Sequence, residues 1–303
     1  MSVELRAPRL DEAAKIAELA NRVSDELFGE RDETEATVRQ WLTVPELDPE
    51  QDIRLAVADD GALLGYADLA PHPEPKFWLD ARVPPSEDDA VRDALVGWGE
   101  ERVRQRSGVL VRAFTYDRDQ REKDVLERRG YELIRHSYRM RIDFEGEPPP
   151  PEWPAGVSVR PATEPDVETA YEMYSETFED TWEFGRDPFD EWRHWMIEDD
   201  LDLSLWFLAE GNGEAAGIAL CKAWEAEQGL GWVQILGVRR PWRRQGLGRA
   251  LLLHVFGEFH RRGFHGVGLG VDAESLTGAH RLYEHAGMRV YRRSDIYEKP
   301  LSR

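Results

Sequence analysis

The chain has 303 residues, 41% apolar and 10% aromatic, with a mean hydropathy of -0.61. This is globular composition, long enough for about two domains of ~150 residues, and it excludes wholesale disorder. With 39 basic and 60 acidic residues the net charge is -21, which argues against nucleic acid and anionic membranes as partners.

One cysteine, Cys221, excludes a disulfide framework and any multi-cysteine metal site. No stretch reaches ~18 uncharged apolar residues, and the opening MSVELRAPRLDEAAKIAEL carries no signal-peptide core, so a cytoplasmic protein is expected.

In chain order, VELRAPRLDEAAKIAELANRV (3–23) reads as a short strand and a helix, with Asp11 placed to cap the helix start. IRLAVADDGALLGYADLA follows as two strands about an Asp60-Gly61 turn. KFWLDAR is a further strand, and PPSEDD leads into a helix ending in ERVRQR (101–106), whose charges read as a solvated helix end. DVLERRGYELIRHSYRMRIDF gives a helix end, a stop at Gly130 and a last strand. The run EGEPPPPEWPAG (145–156) holds four consecutive prolines, which can neither continue a helix nor enter a central strand. The expected domains are therefore 1–146 and 157–303, with 147–156 as a proline-rich linker.

The second half repeats the first. VSVRPATEPDVETAYEMYSETF matches the opening strand and helix, with Asp166 in the place of Asp11. TWEFGRDPFDEWRHWMIEDD gives an amphipathic helix from Pro188 with Trp192, Trp195 and Met196 toward the core, or else a wall of an acceptor pocket. LWFLAEGNGEAAGIALCKAW is a hairpin about Asn212-Gly213; Cys221 within it reads as a packed strand residue, since no histidine is near it in sequence. His254, His260 and His265 fit no ligand spacing, so no metal is expected. RLYEHAGMRVYRRSDIYEKPL closes the half as DVLERRGYELIRHSYRMRIDF closes the first.

The halves differ in the middle. Between the strand Trp232–Val238 and an apolar-periodic helix from Ala250 stands RRPWRRQGLGRA, where the first half has PPSEDD. Gly246 and Gly248 allow close backbone approach, and unsatisfied N–H groups at a helix start carry partial positive charge. Arg239, Arg240, Arg243, Arg244 and Arg249 add five cations in eleven positions. This is a diphosphate cradle by mechanism. It lacks the third glycine and the downstream acid of a dinucleotide fingerprint, and it is no Walker loop.

Arg243-Arg244-Gln245-Gly246-Leu247-Gly248 resembles the R/Q-x-x-G-x-G/A motif of the GNAT superfamily of acyl-CoA-dependent N-acyltransferases. The preceding VQILGV and the downstream LGVDAESLTGAHRLYEHAGM are similar to GNAT segments in the same order, and the two-copy layout is similar to that of mycothiol synthase. The resemblance implies an α/β (α+β) fold of two repeated domains, each a mixed, mostly antiparallel sheet flanked by helices, the second intact and the first degenerate.

It also implies roles. Backbone groups at Leu236, Gly237 and Val238 would hold the pantetheine arm of acetyl-CoA, the co-substrate. N–H groups from Arg244 through Gln245, Gly246, Leu247, Gly248 and Arg249 would hold its pyrophosphate. Ser275 stands where many relatives have Asn near the arm. Tyr283 matches the tyrosine that protonates the departing thiolate, and its counterpart in the first half is Leu126. The N–H of Val238 is placed to polarise the thioester carbonyl. For the base that takes a proton from the amine through water, Glu225, Glu227 and Asp180 are candidates; Gln234 occupies a strand position but cannot serve.

The expected reaction is acetyl transfer to a primary amine by direct attack in a ternary complex. The rival is a non-catalytic acyl-CoA sensor on the same scaffold. Residues 151–230 hold 4 basic and 20 acidic side chains, and residues 231–303 hold 13 and 6. A cationic small molecule or peptide is therefore the expected acceptor. The two copies are expected to act as an internal pseudo-dimer in a monomer, or in a homodimer.

Overall fold

The computed structural model describes residues 3–31, 33–43, 47–72, 75–197, 202–225, 229–275 and 278–301. The chain forms two units, one of residues 1–136 with 294–303 and one of residues 137–293.

The first unit runs β1 (Val3–Arg6), α1 (Ala13–Phe28), α2 (Glu35–Leu42), α3 (Pro49–Asp52), β2 (Ile53–Ala58), β3 (Leu63–His72), β4 (Lys76–Arg82), α4 (Asp89–Gln105), β5 (Leu110–Tyr116) and α5 (Gln120–Arg128). Its strands β1 to β5 lie in chain order, antiparallel except for the parallel pair β4–β5. Alternation decides the faces. Leu69, Phe77, Leu79, Val111 and Ala113 bury against Leu95, Val96 and Val103 of α4 and Val125 and Leu126 of α5. On the other face α1 and α2 cover Ile53, Leu55 and Val57.

The second unit begins within β6 (Glu132–Asp143), then runs β7 (Val157–Pro161), α6 (Val167–Phe178), α7 (Phe189–Met196), β8 (Trp206–Gly211), β9 (Glu214–Glu225), β10 (Leu230–Val238), α8 (Leu247–Arg261), β11 (Gly266–Asp272) and α9 (Ala279–His285) into β12 (Arg289–Pro300). The sheet order is β6-β11-β10-β9-β8-β7, with β10–β11 the parallel pair. Leu251, Leu252, Val255, Phe256 and Phe259 of α8 pack on one face with Val233, Val267 and Leu269. The helices α6 and α7 pack on the other with Leu208, Ile218, Leu220 and Ile235. Trp192 and Met196 are buried there as expected; the side chain of Trp195 lies outside the described atoms.

The repeat holds at the level of single contacts. Arg6 forks onto Glu12 at 2.8 and 2.6 Å, and Arg160 forks onto Asp166 at 2.8 and 2.8 Å, each six residues on. In the first half it is Glu12, not Asp11, that accepts the Arg9 N–H at the helix entry; Asp11 is exposed. Gly130 and Gly287 both stop helices at positive φ, 86° and 95°. Asn212 and Gly213, at φ 54° and 80°, close the second hairpin with the left-handed pair that its twist requires.

The last strands are exchanged. Ser137–Asp143 of β6 pairs with β11 of the second unit, and Ser294–Pro300 of β12 pairs with β5 of the first. The units therefore divide at 136/137 and 293/294, and the proline run lies inside the second unit. Its physical task is a crossing. β6 and β7 stand at the two ends of the strand order β6-β11-β10-β9-β8-β7, five spacings of about 4.8 Å apart, and thirteen extended residues reach about 40 Å. On the way Phe144 meets Phe256 and Trp153 meets His254, so the strap lies along α8.

ERVRQR is not a plain solvated end. Val103 is fully buried, and Arg102 and Arg106 donate to the buried Asp52 at 2.8 and 3.3 Å.

Candidate acyl-transfer site

β10 pairs with β11 only from Leu230↔Gly266 to Val233↔Leu269 among the described residues. Beyond that point β10 continues to Val238 against β9, while β11 continues to Asp272 against β6. The two strands part at a bulge: Val233 and Ile235 face Cys221 and Leu220, leaving Gln234 as an extra, exposed residue. The parted edge carries the backbone of Leu236, Gly237 and Val238. The Arg239 N–H donates to Ala216 O at 3.0 Å on the β9 side, so strand alternation turns the N–H groups of Val238 and Leu236 toward the open edge. Gly237 is required for close packing. A Cβ there would stand 2.4 Å from Thr177 Oγ1 of α6.

The loop after Val238 reaches α8 through two left-handed residues, Arg244 at φ 63° and Gly246 at φ 87°. The helix starts at Leu247, three residues before the apolar period, with Gly246 as a cap that offers no side chain. The Ala250 N–H donates to Gly246 O, which leaves the N–H groups of Leu247, Gly248 and Arg249 without intrahelical partners. A Cβ on Gly246 would meet nothing within 4 Å, so the space before the helix is open. Gln245 donates to Pro241 O at 2.8 Å and braces the loop. A Cβ on Gly248 would lie 3.2 Å from Leu282 and 3.6 Å from Val238, which places the loop between the open edge and α9.

The five arginines do not act alike. Arg239 pairs with Glu176 at 2.8 Å, and Arg240 donates to Asp180 at 2.6 Å. Arg243 donates to Asp180 at 3.1 Å, to Thr177 O at 3.3 Å and to Val238 O at 3.0 Å. Only Arg244 and Arg249 have no acidic partner among the described residues. The cradle thus has two free cations, and three arginines fasten the loop to the end of α6. The hydrogen bonds from Arg240 and Arg243 hold the Asp180 carboxyl below its ordinary range, so Asp180 is a poor base. These pairings also weaken the charge contrast between residues 151–230 and 231–303, as does the pair of Asp202 with Arg262, because each joins a carboxylate of the first segment to an arginine of the second.

Tyr283 lies on α9, buried in the same core as Leu247 and Leu251, and burial pushes its phenol up to about 12. Ser275 follows β11 in a turn, its N–H on Asp272 O at 3.2 Å and its carbonyl accepting from Gly278. Glu225 closes β9 opposite Leu230; its side chain, like all of Glu227, lies outside what is described. Cys221 is fully buried and its thiol is pushed up by burial, as a packed residue should be. Among the described residues no cluster of His, Cys, Asp or Glu could hold a metal, and no helix is long and apolar enough to cross a membrane.

The equivalent loop of the first unit is closed. Asp88 caps α4 by accepting the Ala90 N–H at 2.9 Å, and Glu26 accepts the Ser86 N–H at 2.8 Å. The buried Arg92 donates to Val83 O and Pro84 O, both at 2.8 Å. Carboxylates of the chain thus occupy donors that a phosphate would need. β3 and β4 pair without a register shift, so the bulge is missing as well. The pairings of Asp180, Glu176 and Glu26 were not legible as motifs, because their partners are remote in sequence. The one signal was an acidic segment preceding a basic one.

The sequence model of the Acetyltransferase (GNAT) family matches residues 167–288. A GCN5-related N-acetyltransferase from Sphaerobacter thermophilus is 32% identical, with a TM-score of 0.86 over 98% of this chain and 95% of that one. A mycothiol acetyltransferase from Thermobispora bispora is 32% identical over 176 residues, 56% of this chain and 59% of the relative, so the match spans about three fifths of that protein. A tandem GNAT protein from the clavulanic acid biosynthesis pathway, 14% identical, shares the fold over 100% of this chain and 99% of its own, with a TM-score of 0.80.

Proposed function

The chain belongs to the GNAT family of acetyltransferases, and from that premise we propose that it moves an acetyl group from acetyl-CoA to a primary amine, by direct attack in a ternary complex in the cytoplasm. The observation that carries this reading is the parting of β10 from β11 beside a helix start with open donors. Acetyl-CoA fits it: a thioester arm needs backbone donors along a strand edge, and a diphosphate needs unshielded N–H groups and free cations.

In this reading Leu236, Gly237 and Val238 hold the arm by backbone groups. The N–H groups from Arg244 to Arg249, with the guanidinium groups of Arg244 and Arg249, hold the pyrophosphate. Bound there, acetyl-CoA supplies an activated acyl carbon with a thiolate leaving group. The Val238 N–H faces the carbonyl oxygen as charge develops on it. Arg243 caps the neighbouring Val238 carbonyl, removing a bare acceptor from that edge and fixing its direction. Tyr283, protonated throughout the neutral range, donates to the departing sulfur. Glu225 takes the amine proton through water; Glu225→Gln tests this by lowering kcat and leaving cofactor affinity unchanged.

The division among the arginines gives a split prediction. Arg244→Gln and Arg249→Gln are expected to weaken acetyl-CoA binding in calorimetry, each losing one charge-assisted contact to phosphate. Arg243→Gln is expected to lower kcat with cofactor affinity little changed. The reverse pattern would return Arg243 to the phosphate site.

The function itself is tested by thiol release on an amine panel that includes an amine of the mycothiol class, with matched cationic, neutral and anionic acceptors. Cationic amines are expected to show the highest kcat/KM, with an advantage that shrinks as salt screens the acidic acceptor side. Preference for an anionic amine would refute the electrostatic part. Binding of acetyl-CoA without release on any amine would make the protein a sensor.

A further inference from the structure

Counted along the paired strands from Val3 and from Val157, Val83 of the first unit corresponds to Val238 of the second. The loop that follows is the longer in the second unit. Seven residues, Arg239 to Gln245, lead from Val238 to the cap Gly246, where four, Pro84 to Glu87, lead from Val83 to the cap Asp88. Each added residue costs conformational entropy to order, and the four arginines of this loop repel one another. A cradle built on such a loop needs an anchor.

The ion pairs to Glu176 and Asp180 are partly solvated, with the Arg240 side chain 59% exposed, and pairs of that kind contribute little. A further anchor is apolar. The short turn Arg240–Trp242 lays the indole of Trp242 on the end of β8, at Gly211. A Cβ on Gly211 would stand 2.6 Å from Cζ2 and 2.8 Å from Cζ3 of that ring, and closer still to Cη2. The ring is half-buried and packs with the core that α8 covers. Beside it the Arg239 N–H donates to Ala216 O at 3.0 Å, and the Arg239 guanidinium donates to Ala215 O at 3.1 Å, both on β9. The first half of the loop is thus clipped to the β8–β9 hairpin.

The first unit lacks this contact. Ala58 pairs with Val3 as Gly211 pairs with Val157, so the strand end itself accepts alanine. The loop Pro84 to Glu87 brings no ring to it. Ring and glycine occur together, in the unit whose loop carries the open donors.

We propose that Trp242 is a positioning residue for the cofactor. Seated on Gly211, it holds the residues that follow it, Arg243 to Gly246, in the shape that presents the helix-start donors to the diphosphate. It touches no reacting atom. The role rests on the acetyl-CoA reading of the cradle. Ordering a slack loop subtracts from the free energy of binding, so the effect falls on affinity and not on the chemical step.

The test is a repacking cycle in the full chain: Gly211→Ala, Trp242→Phe and the double variant. Acetyl-CoA affinity is measured by calorimetry, and kcat at saturating acetyl-CoA. The methyl added by Gly211→Ala displaces the indole, and affinity is expected to fall at least about tenfold. Trp242→Phe removes the ring edge that meets Gly211 and should weaken binding about three- to tenfold. In the double variant the new methyl fills the room left by the smaller ring, and affinity should return to within about threefold of wild type. Across the set kcat should vary by less than about threefold. Without cofactor, amide exchange over residues 243–249 should quicken in Gly211→Ala and slow again in the double variant. A merely structural contact would lower stability without this split between affinity and turnover. Unchanged affinity in Gly211→Ala overturns the proposal, as does no recovery in the double variant. A fall in kcat with affinity intact overturns it too, and so does equal loop exchange in wild type and variants. If the wild type does not bind acetyl-CoA, the cofactor reading falls, and the exchange pattern alone decides whether Trp242 anchors the loop.

Discussion

Gly246→Glu is expected to abolish acetyl-CoA binding. Gly246 caps α8 at φ 87°, a conformation in which a side chain costs about 1 kcal/mol, and the space around its absent Cβ is open. The new side chain is therefore tolerated by the fold, and its carboxylate lies among the free donors of Leu247, Gly248 and Arg249. It competes for the donors that the diphosphate needs and repels the phosphates themselves. The first unit provides the natural precedent: Asp88 sits at the cap of α4 and accepts from Ala90. Gly246→Ala separates strain from charge, keeping the left-handed penalty without the carboxylate. The expected ranking in calorimetry is wild type, then Gly246→Ala with a modest loss, then Gly246→Glu with no measurable binding. Unchanged affinity in Gly246→Glu would remove this helix start from the cofactor site.

Local features of both the fold and the site were legible in the sequence, because each depends on neighbours along the chain. The hairpin turns at Gly61 and Gly213, the stops at Gly130 and Gly287, and the sequence of strand, basic glycine loop and helix around Gly246 are all fixed within a few residues. What was hidden depends on choices between equivalents. The strands Ser137–Asp143 and Ser294–Pro300 carry similar patterns and meet similar edges, on β11 and β5, so periodicity cannot say which belongs where. The proline run looked like a boundary because it is extended and regular only in itself; as a strap over α8 it has the same composition. The arginines illustrate a further limit. Five cations in a loop read as five phosphate ligands, but Glu176 and Asp180, some sixty residues away, hold three of them.

Tyr283→Phe is expected to lower kcat by 10²–10⁴, the range for loss of a general acid, which corresponds to about 3–5 kcal/mol in the barrier. Affinity for acetyl-CoA should change little, because the ring is kept and only the hydroxyl is lost from a side chain packed with Leu247 and Leu251. The pH dependence sharpens the assignment. Burial raises the phenol to about 12, so its protonated fraction is complete from acid through neutral to mildly basic solution. The wild-type profile of kcat/KM should therefore rise as the acceptor amine and the base lose protons, and show no falling limb below about pH 10. A thiolate is a weaker base than the phenolate of so buried a tyrosine, so full proton transfer to it is uphill. The useful contribution is then a hydrogen bond that strengthens as negative charge gathers on sulfur, not a proton delivered early. It follows that a leaving thiol of higher pKa should depend more steeply on the hydroxyl. Acetyl thioesters of graded thiol acidity, compared in wild type and Tyr283→Phe, would show this as a larger mutational loss for the poorer leaving groups. An equal loss across the series would place the hydroxyl in packing or arm binding, and near-wild-type turnover would remove it from the reaction.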